Sequence, residues 1–555
     1  MWQPGGVPSA YHDDFVRSLL PPPELWPRMD YSTLPELRAY PDRLNAAVEL
    51  LDRMVEAGHA DRPVLHFEGV TWSYRQLLER ANRIARVLVE DFGLAPGNRV
   101  LLRAANNPML VACWFAVLKA GGICVATMPL LRAKELAFML ERAKIRHAFC
   151  EASLADEMEL AKGRAPVLEN LMHFSRLGDG EAGLDRAMAG KAADFANVAT
   201  AADDVAVIAF TSGTTGNPKG TVHFHRDCLA AADCFPRYVA VTRADDVFTG
   251  SPPLAFTFGL GMLTLFPMRF GASTVLIEKP APEALLEAIR RYRVTVLATA
   301  PTAYRTMTDM VADHDISSLR MCVSAGEHLP RPTSDGWWRA TGIRIIDGIG
   351  ATEMMHIFIS ASGDDIRPGS TGKAIPGYSA RVVDEEGNPL PPGRPGRLAV
   401  IGPTGCRYMD DVVRQRTYVQ NGWNLTGDIY EQDEDGYFWY VARGDDMIIS
   451  AGYNISGPEV ESVLLAHPKV RECAVVASPD AARGHIVKAF VVLHDHGDAD
   501  AATVRELQDY VKAEVAPYKY PRAIEFVDDL PKTPTGKLQR FVLRQQERER
   551  AGGGG

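Results

Sequence analysis

The densest chemistry in the chain lies in ten residues, Thr211-Ser212-Gly213-Thr214-Thr215-Gly216-Asn217-Pro218-Lys219-Gly220. They follow an apolar run, Val205 to Phe210, that reads as a buried strand. Glycines let backbone N–H groups approach an anion, and hydroxyls and a lysine add donors and charge. This is chemistry for holding polyphosphate. The spacing is not that of a P-loop, because Gly220 and Thr221 follow Lys219 and no glycine directly precedes it. A flexible linker fits poorly, since the segment sits between an apolar strand and a second apolar-aromatic stretch, Thr221 to Phe224.

Four further segments carry chemistry downstream. In Asp347-Gly348-Ile349-Gly350-Ala351-Thr352-Glu353, two glycines let a ligand press against backbone, and Glu353 is a carboxylate of the kind Mg²⁺ takes beside substrate phosphate. Thr426-Gly427-Asp428 and Tyr440-Val441-Ala442-Arg443-Gly444-Asp445-Asp446 supply further acids. A carboxylate on the buried side can accept from both hydroxyls of a ribose, although either Asp alone also suits a turn or helix cap. In Leu530-Pro531-Lys532-Thr533-Pro534-Thr535-Gly536-Lys537, prolines and a glycine describe a rigid loop presenting one long cation. On spacing alone, a solvated surface lysine is the better reading of Lys537.

The elements that must position these residues alternate in type. Strand-like and helix-like runs take turns from about residue 60 to 440: Arg99 to Ala104 (strand), Pro108 to Ala120 (helix), Ile123 to Thr127 (strand), Arg132 to Ala143 (helix), Ala281 to Tyr292 (helix), Val294 to Ala298 (strand). Alternation of this kind implies crossover units and parallel sheets faced by helices. Past Gly369 shorter strands and frequent turns read as a smaller β-rich lobe, 369–444. After Arg443-Gly444, segments such as Gly457 to Ala466 (helix), Ala474 to Ala477 and Ala489 to Leu493 (strands) and Ala502 to Val515 (helix) make a C-terminal piece large enough to be a domain. The division predicted is therefore 1–444 and 445–555.

Bulk properties narrow the class. A chain of 555 residues exceeds one ordinary core, and 46% hydrophobic with 23% charged residues is ordinary for a globular protein. The net charge of −10 argues against general nucleic-acid binding, so an anionic ligand must be held by local donors. Eight single cysteines form no CxxC pair, which favours reduced thiols in the cytosol over a zinc site or disulfide framework. The N-terminus lacks the blocks of a signal peptide, and the longest apolar runs are too short to span a bilayer.

Together these segments resemble the signature series of the adenylate-forming enzymes, the superfamily of acyl-CoA synthetases, peptide-synthetase adenylation domains and luciferases. The resemblance runs from Thr71-Trp72-Ser73-Tyr74 to Lys537. It implies an α/β fold with a large N-terminal domain of parallel-sheet subdomains plus a β-rich lobe, and a small mobile α+β C-terminal domain. It implies ATP, Mg²⁺ and coenzyme A as cofactors. Thr211, Ser212, Gly213, Thr214, Thr215 and Lys219 would hold the phosphates, and Gly326, Glu327, Asp347, Gly348 and Ile349 would complete the ATP and AMP site. Asp428 and Arg443 would contact the ribose, with Ala442 standing where the family has glycine. Thr352 and Glu353 would act at the reacting phosphates with Mg²⁺ on Glu353, and the family's catalytic lysine falls on Lys537. Asp445 sits at the family's interdomain hinge, and Gly452 and Tyr453 fall on its CoA channel. The common Tyr-Gly-x-Thr-Glu pattern has Ile349 in place of tyrosine, which predicts a flatter apolar contact with adenine.

The form of Gly348 to Phe358 is similar to the benzoate-CoA ligase branch, and His223-Phe224-His225-Arg226-Asp227 to 2-aminobenzoate-CoA ligases. The acyl pocket implied is lined by Ala255, Phe256, Phe258, Gly259, Ala325, Gly350, Met355 and His356, faces that suit a flat ring. Pro252 to Gly261 has no acidic residue, which disfavours an amino acid with a free α-ammonium. On one strand, His223 and His225 would face the same way, but with no third ligand apparent they read as positioning or packing residues. The expectation is an AMP-forming aryl-acid:CoA ligase, cytoplasmic, monomeric or homodimeric, without nucleic-acid or membrane partners, and with 2-aminobenzoate ahead of benzoate and salicylate. A stand-alone aryl-acid adenylating enzyme loading a carrier protein is the alternative. A luciferase-like oxygenase is disfavoured by the absence of a Ser-Lys-Leu ending, and a dead binding protein by the joint presence of Lys219, Glu353, Asp428 and Lys537.

Overall fold

The computed structural model describes residues 7–211, 218–444, 446–450, 453–480, 484–515, 517–532 and 538–552. Two large sheets form its body. A six-stranded sheet runs Asn170–Phe174, His147–Glu151, Arg99–Arg103, Ile123–Thr127, Val205–Thr211, Lys219–Phe224, parallel until the last pair, which is antiparallel. A nine-stranded sheet has parallel central strands, among them Val296–Thr299, Met321–Ala325 and Ile345–Gly350, and antiparallel strands at both edges. The mixed α/β architecture is thus the one that the alternation of runs implies, with element ends shifted by a residue or two.

Helix Pro108–Lys119 shows how the two sheets share one core. All twelve of its residues are buried, and they join strands of both sheets in one apolar cluster. A helix apolar on every side belongs in such a position. Asn107 starts it, accepting from the Leu110 N–H at 3.1 Å, and Pro108 follows at the first turn, where no amide partner is needed. Its one charge, Lys119, is fully buried and bonded to Asp52 at 2.5 Å.

Beyond these sheets, strands Ser379–Val383, Gly396–Ile401, Val419–Gln420, Trp423–Gln432 and Phe438–Arg443 form a five-stranded lobe. The C-terminal residues build a three-stranded sheet, Val470–Asp480, Gly484–Leu493 and Ala523–Phe526. Helix Gly457–Ala466 packs on it; Ser456 caps that helix by accepting from the Glu459 N–H at 3.2 Å. Among the described residues no helix is long and apolar enough to cross a membrane, and all eight cysteines are free and buried.

Candidate functional site

A cavity of about 850 Å³ opens at the carboxyl ends of strands Met321–Ala325 and Ile345–Gly350, where ligands of open α/β sheets lodge. The β lobe closes one side and the C-terminal residues another. Thr211, Lys219, Gly326, Glu327 and the whole stretch Asp347 to Glu353 line it, together with Asp428 and Arg443. Residues far apart in sequence thus share one chamber.

At one pole, Lys219 opens strand Lys219–Phe224 and forms an ion pair with Glu353. The Tyr408 hydroxyl donates to Glu353 Oε1 at 2.6 Å and accepts from Lys219 Nζ at 3.0 Å. Burial works against charge on Glu353, but the Lys219 ammonium and the Tyr408 donor outweigh it and hold the carboxyl below its ordinary range. Among the described residues no group of three or more His, Cys, Asp or Glu could hold a metal ion. One ionised carboxylate nevertheless fits Mg²⁺, which takes most of its ligands from phosphate and water.

Asp428 and Arg443, which also line the cavity, pair on neighbouring strands, Oδ1 to Nη1 at 3.2 Å. Asp428 is buried, and burial pushes its carboxyl up against the pull of Arg443. Asp347 also lines the cavity, with Oδ1 buried and lacking a hydrogen-bond partner among the described residues. Burial pushes this carboxyl up to about 8, although the Gly348 N–H and Thr371 work the other way.

The glycines here have a reason that the motif alone does not reveal. A Cβ on Gly348 would stand 2.7 Å from the Ile357 side chain, and one on Gly350 would stand 2.8 Å from the His356 backbone. The adjoining strand Ile357–Ser360 requires them, whatever ligand lies on the other side. Met355, at the exit of the same turn, adopts φ 67°, a left-handed backbone that strains a non-glycine residue.

Of the acyl-pocket expectations, only Gly350 lines this cavity. Ala255, Phe256 and Phe258 are half-buried; Gly259 and Ala325 are buried. A Cβ on Gly259 would meet the Pro253 carbonyl at 2.1 Å. Met355 and His356 belong to the interior. The His356 ring lies 4.3 Å from Phe266, 5.8 Å from Phe258 and 6.0 Å from Phe235, and burial pushes its pKa down to about 3. Phe258, Ile349 and Ala351 pack against the same large apolar cluster that contains Met355, and of these three Ile349 and Ala351 also line the cavity.

One expectation is corrected. His223 and His225 do not share a strand, because the strand ends at Phe224 and His225 opens helix His225–Tyr238. Asp227 turns the chain there by accepting from the Phe224 N–H at 2.9 Å. His223 Nε2 donates to the Thr352 carbonyl at 2.7 Å, while His225 Nδ1 accepts from the Ala46 N–H at 3.1 Å. Each imidazole therefore has its own protein partner.

Ser212, Gly213, Thr214, Thr215, Asp445, Gly452 and Lys537 lie outside the described residues, and of Tyr453 only the backbone is described, in strand Tyr453–Ile455. The neighbour of Lys537 is informative: the Leu538 N–H donates to Glu327 at 3.3 Å, which brings this part of the chain to the cavity. Sequence reasoning missed Tyr408, His328 and Arg540, all cavity-lining. His328 stacks on Tyr440 with ring centroids 5.0 Å apart, and Arg540 is bonded to Glu461 at 2.6 Å. A lone Tyr or His carries no motif, so only the backbone bridge between Thr221 and Tyr408 reveals the first of them.

A Lys219–Glu353 pair suited to phosphate and an Asp428–Arg443 pair suited to ribose, lining one cavity, define an α/β nucleotide-binding enzyme whose C-terminal residues complete the site. The chain belongs to the AMP-binding enzyme family: residues 52–407 match that family, and residues 459–537 match the AMP-binding enzyme C-terminal domain. It is 36% identical over 523 residues to the benzoate–CoA ligase of Thauera aromatica, covering 93% of this chain and 98% of that one. The crystal structure of the anthranilate CoA ligase AuaEII in complex with anthranoyl-AMP matches with TM-score 0.88 and 35% identity, over 93% of this chain and 99% of the other. A benzoate CoA ligase from Burkholderia xenovorans LB400 matches with TM-score 0.82 and 32% identity, over 90% and 99%.

Proposed function

We propose that this protein is an AMP-forming aryl-acid:CoA ligase whose preferred acid is 2-aminobenzoate. The observation that carries this reading is that Lys219, Glu353, Asp347, Asp428 and Arg443 line one cavity. In the first half-reaction a carboxylate oxygen of the acid attacks the α-phosphorus of ATP and the bond to pyrophosphate breaks. Lys219, with Thr211, Ser212, Gly213, Thr214 and Thr215, holds the departing phosphates, and Asp428 and Arg443 hold the ribose. Gly326, Glu327, Asp347, Gly348 and Ile349 complete the nucleotide site, with Ile349 against the adenine. Glu353 would hold Mg²⁺, which when bound would supply positive charge at the phosphates. Lys537 neutralises charge between carboxylate and α-phosphate.

In the second half-reaction the thiol of coenzyme A attacks the acyl carbon and AMP leaves. Residues 445–555 act as a separate domain that turns about Asp445 and brings Gly452 and Tyr453 to a pantetheine channel, a gating motion. The Phe258 and His356 rings, 5.8 Å apart, and the likeness to a ligase holding anthranoyl-AMP support an aromatic acid with a small ortho substituent. Eight buried, unpaired cysteines suit a cytoplasmic setting.

The test is mass spectrometry of products from ATP, Mg²⁺ and a panel of benzoate, 2-aminobenzoate, salicylate, phenylacetate, octanoate and phenylalanine, with and without CoA. A 2-aminobenzoyl-CoA product that appears only with CoA supports the proposal. Acyl-AMP that accumulates while CoA is present overturns it in favour of carrier-protein loading.

A further inference from the structure

Strand Lys219–Phe224 grips the turn that carries Glu353 at two points. Alternate residues of a strand share a face, so Lys219, Thr221 and His223 point the same way. Lys219 reaches the Glu353 carboxylate, and four residues on, His223 Nε2 donates to the carbonyl of Thr352 at 2.7 Å. The two anchors hold consecutive residues of one short turn, Thr352–Met354.

His223 is fully buried, so its bond to Thr352 has no solvent alternative. Its other nitrogen faces Asp227 Oδ2 at 3.8 Å. That carboxylate is itself fixed, accepting from Arg407 at 2.8 Å and from the Phe224 N–H at 2.9 Å. The chain of contacts therefore runs from Arg407 through Asp227 and His223 to the backbone of Thr352. A third clamp, the Thr404 hydroxyl, donates to the Met354 carbonyl at 2.7 Å. Such over-determination suits a turn that leaves through Met355 with φ 67°.

We propose that His223 is a positioning residue for the Mg²⁺·ATP pole, fixing Glu353 against Lys219 through the Thr352 carbonyl. The assignment rests on the nucleotide-activating reading above but on neither the acid nor the thiol. Partners that orient a liganding group tune metal affinity, and losing one typically weakens it about 10–100-fold. A histidine that merely fills the core would affect folding and leave the Mg²⁺ dependence of ATP binding alone.

Titration calorimetry of the full-length protein with ATP, in Mg²⁺ and separately in EDTA, distinguishes the two. His223→Ala is expected to weaken binding in Mg²⁺ about tenfold and binding in EDTA less than about twofold. His223→Gln places an amide donor where Nε2 stands and restores most of the loss; His223→Asn, which lacks the reach, does not. These two similar polar variants keep the comparison available should the alanine variant fail to fold. Equal affinities for the Gln and Asn variants, or equal losses with and without Mg²⁺, overturn the proposal. A wild-type protein that binds Mg²⁺·ATP but activates no aryl acid overturns the proposed function and leaves this assignment standing.

Discussion

Replacing Tyr408 by phenylalanine removes one oxygen and almost no packing volume. The hydroxyl donates to Glu353 Oε1 at 2.6 Å and accepts from Lys219 at 3.0 Å, and the residue is 1% exposed. A hydrogen bond to an ionised group contributes about 1.5–3 kcal/mol net, and with Lys219 still neutralising Glu353 a loss of about 2 kcal/mol follows. That loss is about 30-fold in the folding equilibrium. Burial would raise the Glu353 carboxyl, but Lys219 and Tyr408 depress it below its ordinary 4.5. A depressed acid stabilises the fold above its unfolded value, and the contribution is lost as pH falls through the folded value. The gap between wild type and Tyr408→Phe is therefore full at pH 7 and narrows below about pH 4.5.

Urea unfolding of wild type, Tyr408→Phe, Glu353→Gln and the double variant measures the effect directly. In the Gln background the same hydroxyl donates to a neutral amide and keeps only Lys219 as a charged partner, so its removal is expected to lose less, about 1 kcal/mol. A loss below about 0.5 kcal/mol at pH 7 would refute the reasoning, because no charge-assisted bond is that weak. Equal losses in both backgrounds would refute it too.

Asp347→Asn should stabilise the fold, and increasingly so as pH rises. Burial pushes Asp347 up to about 8, so its contribution is present below the unfolded value of 3.8 and is lost as pH rises through about 8. Asparagine does not titrate, and urea midpoints that differ equally at pH 5, 7 and 9 would contradict this. Arg305 on helix Pro301–Thr308 donates to the Val470 carbonyl at 2.7 Å, holding the C-terminal sheet on the body. Arg305→Ala is expected to slow acid-dependent ATP–pyrophosphate exchange about tenfold, from the loss of one charged hydrogen bond, and to leave thioester formation from preformed acyl-adenylate unchanged. Parallel loss in both assays would remove Arg305 from that role. Lys537→Ala should abolish adenylation while sparing the CoA step, and Gly452→Leu should do the reverse; either variant losing both half-reactions equally would sink the role assigned to its residue.

The architecture was legible where local pattern carries the signal. Ile123–Thr127 and Gly457–Ala466 fall where the sequence reading puts them, because strand periodicity, Ser456 as a cap and Pro458 in the first turn are local facts. The strand expected at Ala474 to Ala477 lies within the longer Val470–Asp480, whose ends carry charged and polar residues that pairing with Gly484–Leu493 overrides. His225 was misplaced because the turn at Phe224 depends on where the Asp227 carboxylate lies.

By itself, then, the sequence determined the class of chemistry: glycines, hydroxyls and a lysine after an apolar strand, a glutamate three residues past a Gly-x-Gly turn, further acids downstream, and an ordered series shared with one enzyme family. Only the tertiary structure decided which of these residues meet. Glu353 takes its partners from positions 134 residues upstream and 55 downstream, and His223 finds its own 129 residues away. Ring-lined and phosphate-type regions likewise separate only once the sheets are packed. Local sequence sets backbone preference over a few residues; the distance between two side chains hundreds of residues apart is set by how the sheets stack, and that emerges only when the shared core closes.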